Sequence, residues 1–213
     1  MQQLQKNGEL DYPYKRHNMT STEIKARFKR LGNYQYKIIS IPYKLRNSFN
    51  MPKQFLTYKG KPLILLSKED DYLDYNLLSD YFQEENRIKC LRFGEKNTPY
   101  QFFEKHLDKA IHKCVQQYHK IDSHTIRETL YELTNECSSF KPSVIVSIIR
   151  MFKSKVLLDI SSGWGDRLIG AMAANVDFYF GTDPNPNLHP GYKKMIDFFG
   201  KSHHKYKVIK SPF

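Results

Sequence analysis

The chain has 213 residues, 40% hydrophobic and 14% aromatic, which suits one large domain or a domain with a smaller one appended and excludes a disordered polymer. A net charge of +12 favours a polyanionic partner, nucleic acid first, although the Lys, Asn, Ile and Tyr content also fits the compositional bias of viral and AT-rich genomes. No apolar run approaches the roughly 20 residues that cross a bilayer, the N-terminus MQQLQKNGELDYPYKRH lacks a signal h-region, and Cys90, Cys114 and Cys137 form no CxxC pair; a soluble intracellular protein with ordinary thiols, no membrane contact and no metal is expected.

Residues 1–19 are polar, contain Pro13 and read as a loosely held arm. Thr20 and Glu23 fit a capping box for a short helix over 23–31. Its Lys25, Arg27, Lys29 and Arg30 read as a solvated face in preference to phosphate contacts. Strands are expected over 36–41 and 62–66, with a turn at Lys59-Gly60-Lys61-Pro62, while Pro42 and Pro52 exclude a long helix. Tyr72, Leu73, Leu77, Leu78, Tyr81 and Phe82 predict a helix over 70–85, with Glu69-Asp70-Asp71 at the end where the helix dipole favours acids. Ile88–Phe93 reads as a short strand. Thr98-Pro99 is an N-cap and first residue for a helix to about Tyr118, with Phe102, Phe103, Leu107, Ile111 and Val115 as its buried stripe. A helix over 123–135 follows, and His106, His112, His119 and His124 lack metal-ligand spacing.

Pro142 opens a further helix through about Phe152, and strict alternation begins after it: strand 156–160, helix 166–175, strand 178–182, helix 187–199, strand 206–210. That order predicts a parallel α/β sheet of the Rossmann-like kind, first three strands only, over 139–213. A basic arm with a short helix (1–34) and a mixed α+β, mainly helical region (35–138) precede it.

In such a sheet a ligand sits beyond the carboxyl ends of the strands. There the first strand ends in Asp159, and the turn Ser161-Ser162-Gly163-Trp164-Gly165 follows, its glycines admitting backbone close to a ligand. Asp183, followed by Pro184, ends the second strand in position to accept from both hydroxyls of a ribose. A dinucleotide wants a third glycine, absent here, and Asp166 at the helix start would repel a pyrophosphate. S-adenosylmethionine carries a sulfonium and an ammonium and no phosphate, so Asp159, Asp166 and Asp183 favour it. The alternatives are a tight turn without cofactor and an Asp183 that serves the loop before Asn185 and Asn187. Trp164 borders the cofactor or covers the core, and Arg167 pairs with Asp159 or Asp166 rather than touching substrate.

Asp159-Ile-Ser161-Ser-Gly163-Trp-Gly165 resembles the D-x-[GF]-x-G-x-G signature of class I S-adenosylmethionine-dependent methyltransferases, with Ser161 replacing the first Gly or Phe. Asp183 matches that family's ribose-binding acid. Phe140-Lys141-Pro142 is similar to the K-P segment bordering the methionine end of the cofactor in amino-methylating DNA methyltransferases. The longer run SSGWGDRLIGAMAA with GTDPNPNL is similar to adenine-specific DNA methyltransferase-like proteins of large viruses and phages. The resemblance spans 140–213. It implies S-adenosylmethionine held by Lys141, Pro142, Asp159, Ser161, Ser162, Gly163, Trp164, Gly165, Asp183 and Pro184, and methyl transfer to the adenine amino group, in DNA sooner than RNA. A viral origin would place the protein in the host cytoplasm or nucleus. The family's catalytic [DNS]-P-P-[YFW] motif is not matched: Ser211-Pro212-Phe213 has one proline too few and lies one strand early. The chain then reads as the front of a longer enzyme or a shortened gene product, with no catalytic residue of its own and a second polypeptide completing the sheet. The other reading is a catalytically inactive basic nucleic-acid-binding or assembly module on a degenerate methyltransferase fold.

Overall fold

The computed structural model describes residues 5–6, 9–35, 38–40, 57–58, 61–62, 64–66 and 75–212. Three antiparallel pairs lie in its first third: β1 (Gln5–Lys6) with β2 (Glu9–Leu10), β3 (Ile38–Ser40) with β6 (Ile64–Leu66), and β4 (Thr57–Tyr58) with β5 (Lys61–Pro62). β3 and β6 fall within the two expected strands. Lys61, expected in a turn, instead pairs with Tyr58, and Pro62, the first residue of the expected strand over 62–66, pairs with Thr57. Pro42, Pro52, the acids 69–71, Tyr72 and Leu73 lie outside the described residues.

Residues 11–19 are held in place, contrary to the loose arm expected. Tyr12 and Tyr14 are 1% and 4% exposed, their rings 4.9 Å apart, and Tyr12 meets Phe103 edge-on at 5.3 Å. Burying two aromatic rings outweighs the polar composition around them. The 3-10 turn Lys15–Asn18 that follows is gripped by Glu84, whose carboxylate accepts the backbone N–H of Lys15 and of Arg16, each at 2.9 Å.

α1 (Ser21–Gly32) starts at Thr20 with the expected capping box to Glu23, and its Ile24 and Leu31 are buried. α2 (Leu77–Ile88) runs through Ile88, which is fully buried; the strand expected over 88–93 is absent, and Leu91 and Phe93 are exposed. α3 (Pro99–Tyr118) has the expected Thr98 cap and Pro99 start. It leaves helical geometry at His106 (φ −133°), and Phe103, Ala110 and Cys114 form its buried face while Val115, expected inside, is 44% exposed. α4 (Ser123–Leu133), capped by Asp122, packs against α3.

α2 carries Leu78 into one apolar core and Ile88 into another, and between them come Asp80, Glu84 and Arg87, all buried. Arg87 donates to Asp80 Oδ1 from Nε (2.9 Å) and Nη2 (2.7 Å) and to Glu136 from Nη1. Arg127 on α4 pairs with Glu136 and Glu84 and donates to the Tyr12 hydroxyl at 2.8 Å. Burial pushes the carboxyls of Asp80 and Glu84 up; at Glu136 the two guanidiniums outweigh burial and hold it down.

The C-terminal part follows the predicted alternation. α5 (Pro142–Phe152) leads to β7 (Val156–Asp159), α6 (Asp166–Ala174), β8 (Phe178–Thr182), a 3-10 turn (Pro186–Leu188), α7 (His189–Phe198) and β9 (Tyr206–Ile209). The strands are parallel in the order β7-β8-β9, with Leu157 opposite Tyr179 and Tyr179 opposite Tyr206. Strand alternation divides the residues between two faces. Leu157, Tyr179, Tyr206 and Val208 enter the core formed with α5, α6 and α7. Val156, Leu158, Ile160, Phe178 and Phe180 fall on the opposite face and are 38% to 62% exposed. The fold is thus mixed α/β around a small three-stranded parallel sheet, covered on one side among the described residues. No helix among those residues is long and apolar enough to cross a membrane.

Candidate cofactor-binding turn

The turn after β7 is fastened to the end of β8. Ser162 N–H donates to Thr182 O at 2.9 Å, and Gly163 N–H to Asp183 Oδ2 at 2.8 Å. Tyr192 of α7 donates its hydroxyl to Gly163 O, and His189 Nε2 lies 3.0 Å from Asp183 O. Glycine is required at two places. Gly163 (φ 55°) leaves the space above it open, the nearest atom to an added Cβ being Ser161 O at 3.9 Å. At Gly165 (φ 88°) that Cβ would in addition lie 2.7 Å from Met195 Sδ, so this glycine also lets α7 pack close to the turn.

The three acids have separate tasks. Asp183, 6% exposed, accepts Gly163 N–H on Oδ2 and Asn185 N–H on Oδ1 at 2.9 Å. Asn185 in turn caps the following 3-10 turn, so one oxygen of Asp183 does serve the loop. An ionised carboxylate has about four acceptor positions; the two amides take two, and the Tyr192 hydroxyl stands within reach of a third. Asp159 is engaged on both oxygens: Oδ2 accepts Arg167 Nε at 2.9 Å and the Tyr179 hydroxyl at 2.6 Å, and Oδ1 accepts Ser161 N–H at 3.2 Å. Arg167 therefore pairs with Asp159 and not with Asp166.

Asp166 does not face the turn. It is 2% exposed, bonded to Ser79 Oγ of α2 and accepting Phe140 N–H at 3.1 Å, and burial pushes its carboxyl up to about 7. Ser79 Oγ also lies 3.0 Å from Asn76 O. Ser79 Oγ donates to Asp166 Oδ1, a bond that by itself holds the carboxyl down; burial outweighs it, and the nearby Asp80 adds to the rise. The supposed repulsion of a pyrophosphate by Asp166 is thereby withdrawn. What still disfavours a dinucleotide is the missing third glycine: Leu168 stands there, fully buried.

Trp164 is half-buried against the core and donates Nε1–H to Ser138 O at 3.0 Å. Together with the Asp166–Phe140 bond this fixes the segment before α5 against the turn. Lys141 is the N-cap of α5 and Pro142 its first residue, as expected. Ser161 and Pro184 are exposed, and Ser162 is buried with its Oγ 3.2 Å from the Tyr179 hydroxyl. Tyr179, Tyr192 and His189 were not anticipated. Strand alternation sets Tyr179 opposite in facing to Phe178 and Phe180, but nothing in the sequence marks its hydroxyl as the partner of Asp159. No protein-family model, curated protein or solved structure matches the chain.

Proposed function

We propose that the chain is the cofactor-binding half of an S-adenosylmethionine-dependent methyltransferase with a Rossmann-like sheet, acting on nucleic acid at an adenine amino group. The observation that carries this reading is Asp183: a carboxylate at the end of the second parallel strand, anchored by the Gly163 amide and not saturated by its two backbone donors. The open space above Gly163 lies next to it. The net charge of +12 supports a nucleic-acid substrate. The bare sheet face supports a sheet completed by further strands and helices from a second polypeptide, because parallel sheets are covered on both sides. The target-binding motif of the amino methyltransferases would come with that polypeptide.

Asp159 favours the second reading, a basic module that retains the fold without the cofactor, because Arg167 and Tyr179 already occupy the acid that would attract a ligand ammonium. Isothermal titration with S-adenosylmethionine separates the two. The first reading expects binding heat that Asp183→Ala abolishes while the melting temperature stays within a few degrees. Absence of heat with the unaltered chain leaves the inactive module standing.

A further inference from the structure

A cleft of about 700 Å³ opens at the C-terminal end of α7, walled by Tyr81 and Phe82 of α2, Phe198 and Lys194 of α7, and Arg16 and His17 of the Lys15–Asn18 turn. Its aromatic wall is preassembled. Phe198 lies 5.5 Å from Tyr81 and 5.3 Å from Phe82, and Lys25 Nζ stands over the Phe198 ring at 5.1 Å. All three rings are half-buried, with part of each open to the cleft. The cationic rim is fixed as well. The Arg16 backbone is held by Glu84, its guanidinium stacks over Tyr14 at 4.9 Å, and its Nη2 donates to Glu85 at 2.9 Å, yet the side chain remains 30% exposed. Asp197, the acid on the rim, is bonded to His203 at 2.7 Å.

On the other side of the same turn lies a second cleft, of about 330 Å³, lined by Lys15, Arg27, His124 and Arg127 together with the acids Glu23 and Glu128. The turn therefore stands between two recesses and presents Lys15 to one and Arg16 and His17 to the other. Aromatic rings beside immobilised cations suit a base on a phosphodiester chain. A recessed ring wall can stack only on a base that is not already paired. Two recesses on either side of a basic turn suit a ligand longer than one nucleotide.

We propose that this is a single-stranded nucleic-acid site: an unpaired base stacks on the Tyr81–Phe82–Phe198 wall, and the backbone crosses the Lys15-Arg16-His17 turn beside Lys194. The proposal rests on the nucleic-acid part of the function above and is independent of methyl transfer. α7 joins the two places, with His189 against Asp183 at its first turn and Phe198 in the cleft at its last, about 14 Å apart at 1.5 Å per residue.

Fluorescence anisotropy of the full chain tests it, with a labelled single strand about 12 nucleotides long, an abasic strand of equal charge and a duplex as ligands. The single strand should bind tightest. Phe198→Leu, with folding verified by thermal melting, should weaken it by roughly 5- to 100-fold with little effect on the abasic strand. Lys194→Glu should weaken both strands and lower the salt slope by about one. An independent readout is photocrosslinking of a 5-iodouracil strand to the unaltered chain, expected at Tyr81, Phe82 or Phe198. Equal affinity for the abasic strand, or crosslinks mapping elsewhere, overturns the cleft while leaving nucleic-acid binding intact. If no oligonucleotide binds, the nucleic-acid reading falls with it, whereas S-adenosylmethionine titration still judges the cofactor turn separately.

Discussion

In the helical half, Asp80, Glu84, Arg87, Arg127 and Glu136 are buried and answer one another's charges; in the sheet half, Val156, Leu158, Ile160, Phe178 and Phe180 face solvent. Each arrangement inverts the ordinary rule for its residue type. Buried charges tolerate almost no rearrangement, because removing one leaves its partner without compensation in a dry interior. An exposed apolar sheet face tolerates nearly any substitution until something covers it. The helical half pairs its buried charges with one another, and the sheet half leaves one apolar face open among the described residues.

The sharpest way to break this contrast is Arg87→Met, which strands Asp80 and leaves Glu136 with Arg127 alone. It should cost about 3–5 kcal/mol in urea unfolding, and a loss under 1 kcal/mol would mean the network contributes little. Next comes pH. The Asp166 carboxyl, raised by burial to about 7 from an ordinary 3.8, keeps its proton in the folded state while the unfolded chain has already lost it. Stability from this group is therefore greatest at acid pH, falls between about pH 4 and 7, and levels off above. Asp166→Asn keeps the shape and removes the titration, and its side-chain oxygen can still accept the Phe140 N–H. Relative to the unaltered chain, it should gain about 2–4 kcal/mol between pH 4 and pH 8 in unfolding titrations, and a constant difference across that range would refute the raised pKa.

Gly170→Ala probes the covered side of the sheet half. A Cβ there would sit 1.8 Å from Ile145 Cγ2 and 3.0 Å from Pro142 O, so α5 and α6 must separate, at about 1–3 kcal/mol by thermal melting. Leu158→Lys probes the bare side. With 59% of the residue exposed, the change should stay within about 0.5 kcal/mol in thermal melting. A cost above 2 kcal/mol would mean the face is packed after all.

What was legible in the sequence was local. Thr20 with Glu23, Thr98 with Pro99, and Pro142 mark helix starts because their chemistry acts within one turn. The parallel alternation after Val156 was legible for the same reason, since each strand and helix carries its own period. What failed was non-local. Tyr12 and Tyr14 sit in a polar stretch with no period and are buried only because Phe103 is waiting for them. Val115 continues the apolar stripe of α3, but the break at His106 turns the face away from it. At the site, Asp159 and Asp183 stand at the strand ends expected of them. Asp166 was visible at the helix start, yet its direction depends on Ser79, 87 residues away. Sequence position identifies an acid; only packing says which way it points.

Glu84 ties these observations together in a mechanical sense. One carboxylate accepts the amides of Lys15 and Arg16 and also faces Arg127, so the basic turn shares its anchor with the deepest charges of the helical half. A ligand that grips the turn therefore pulls on α2, and amide hydrogen exchange in α2 would register an event at the surface of the turn.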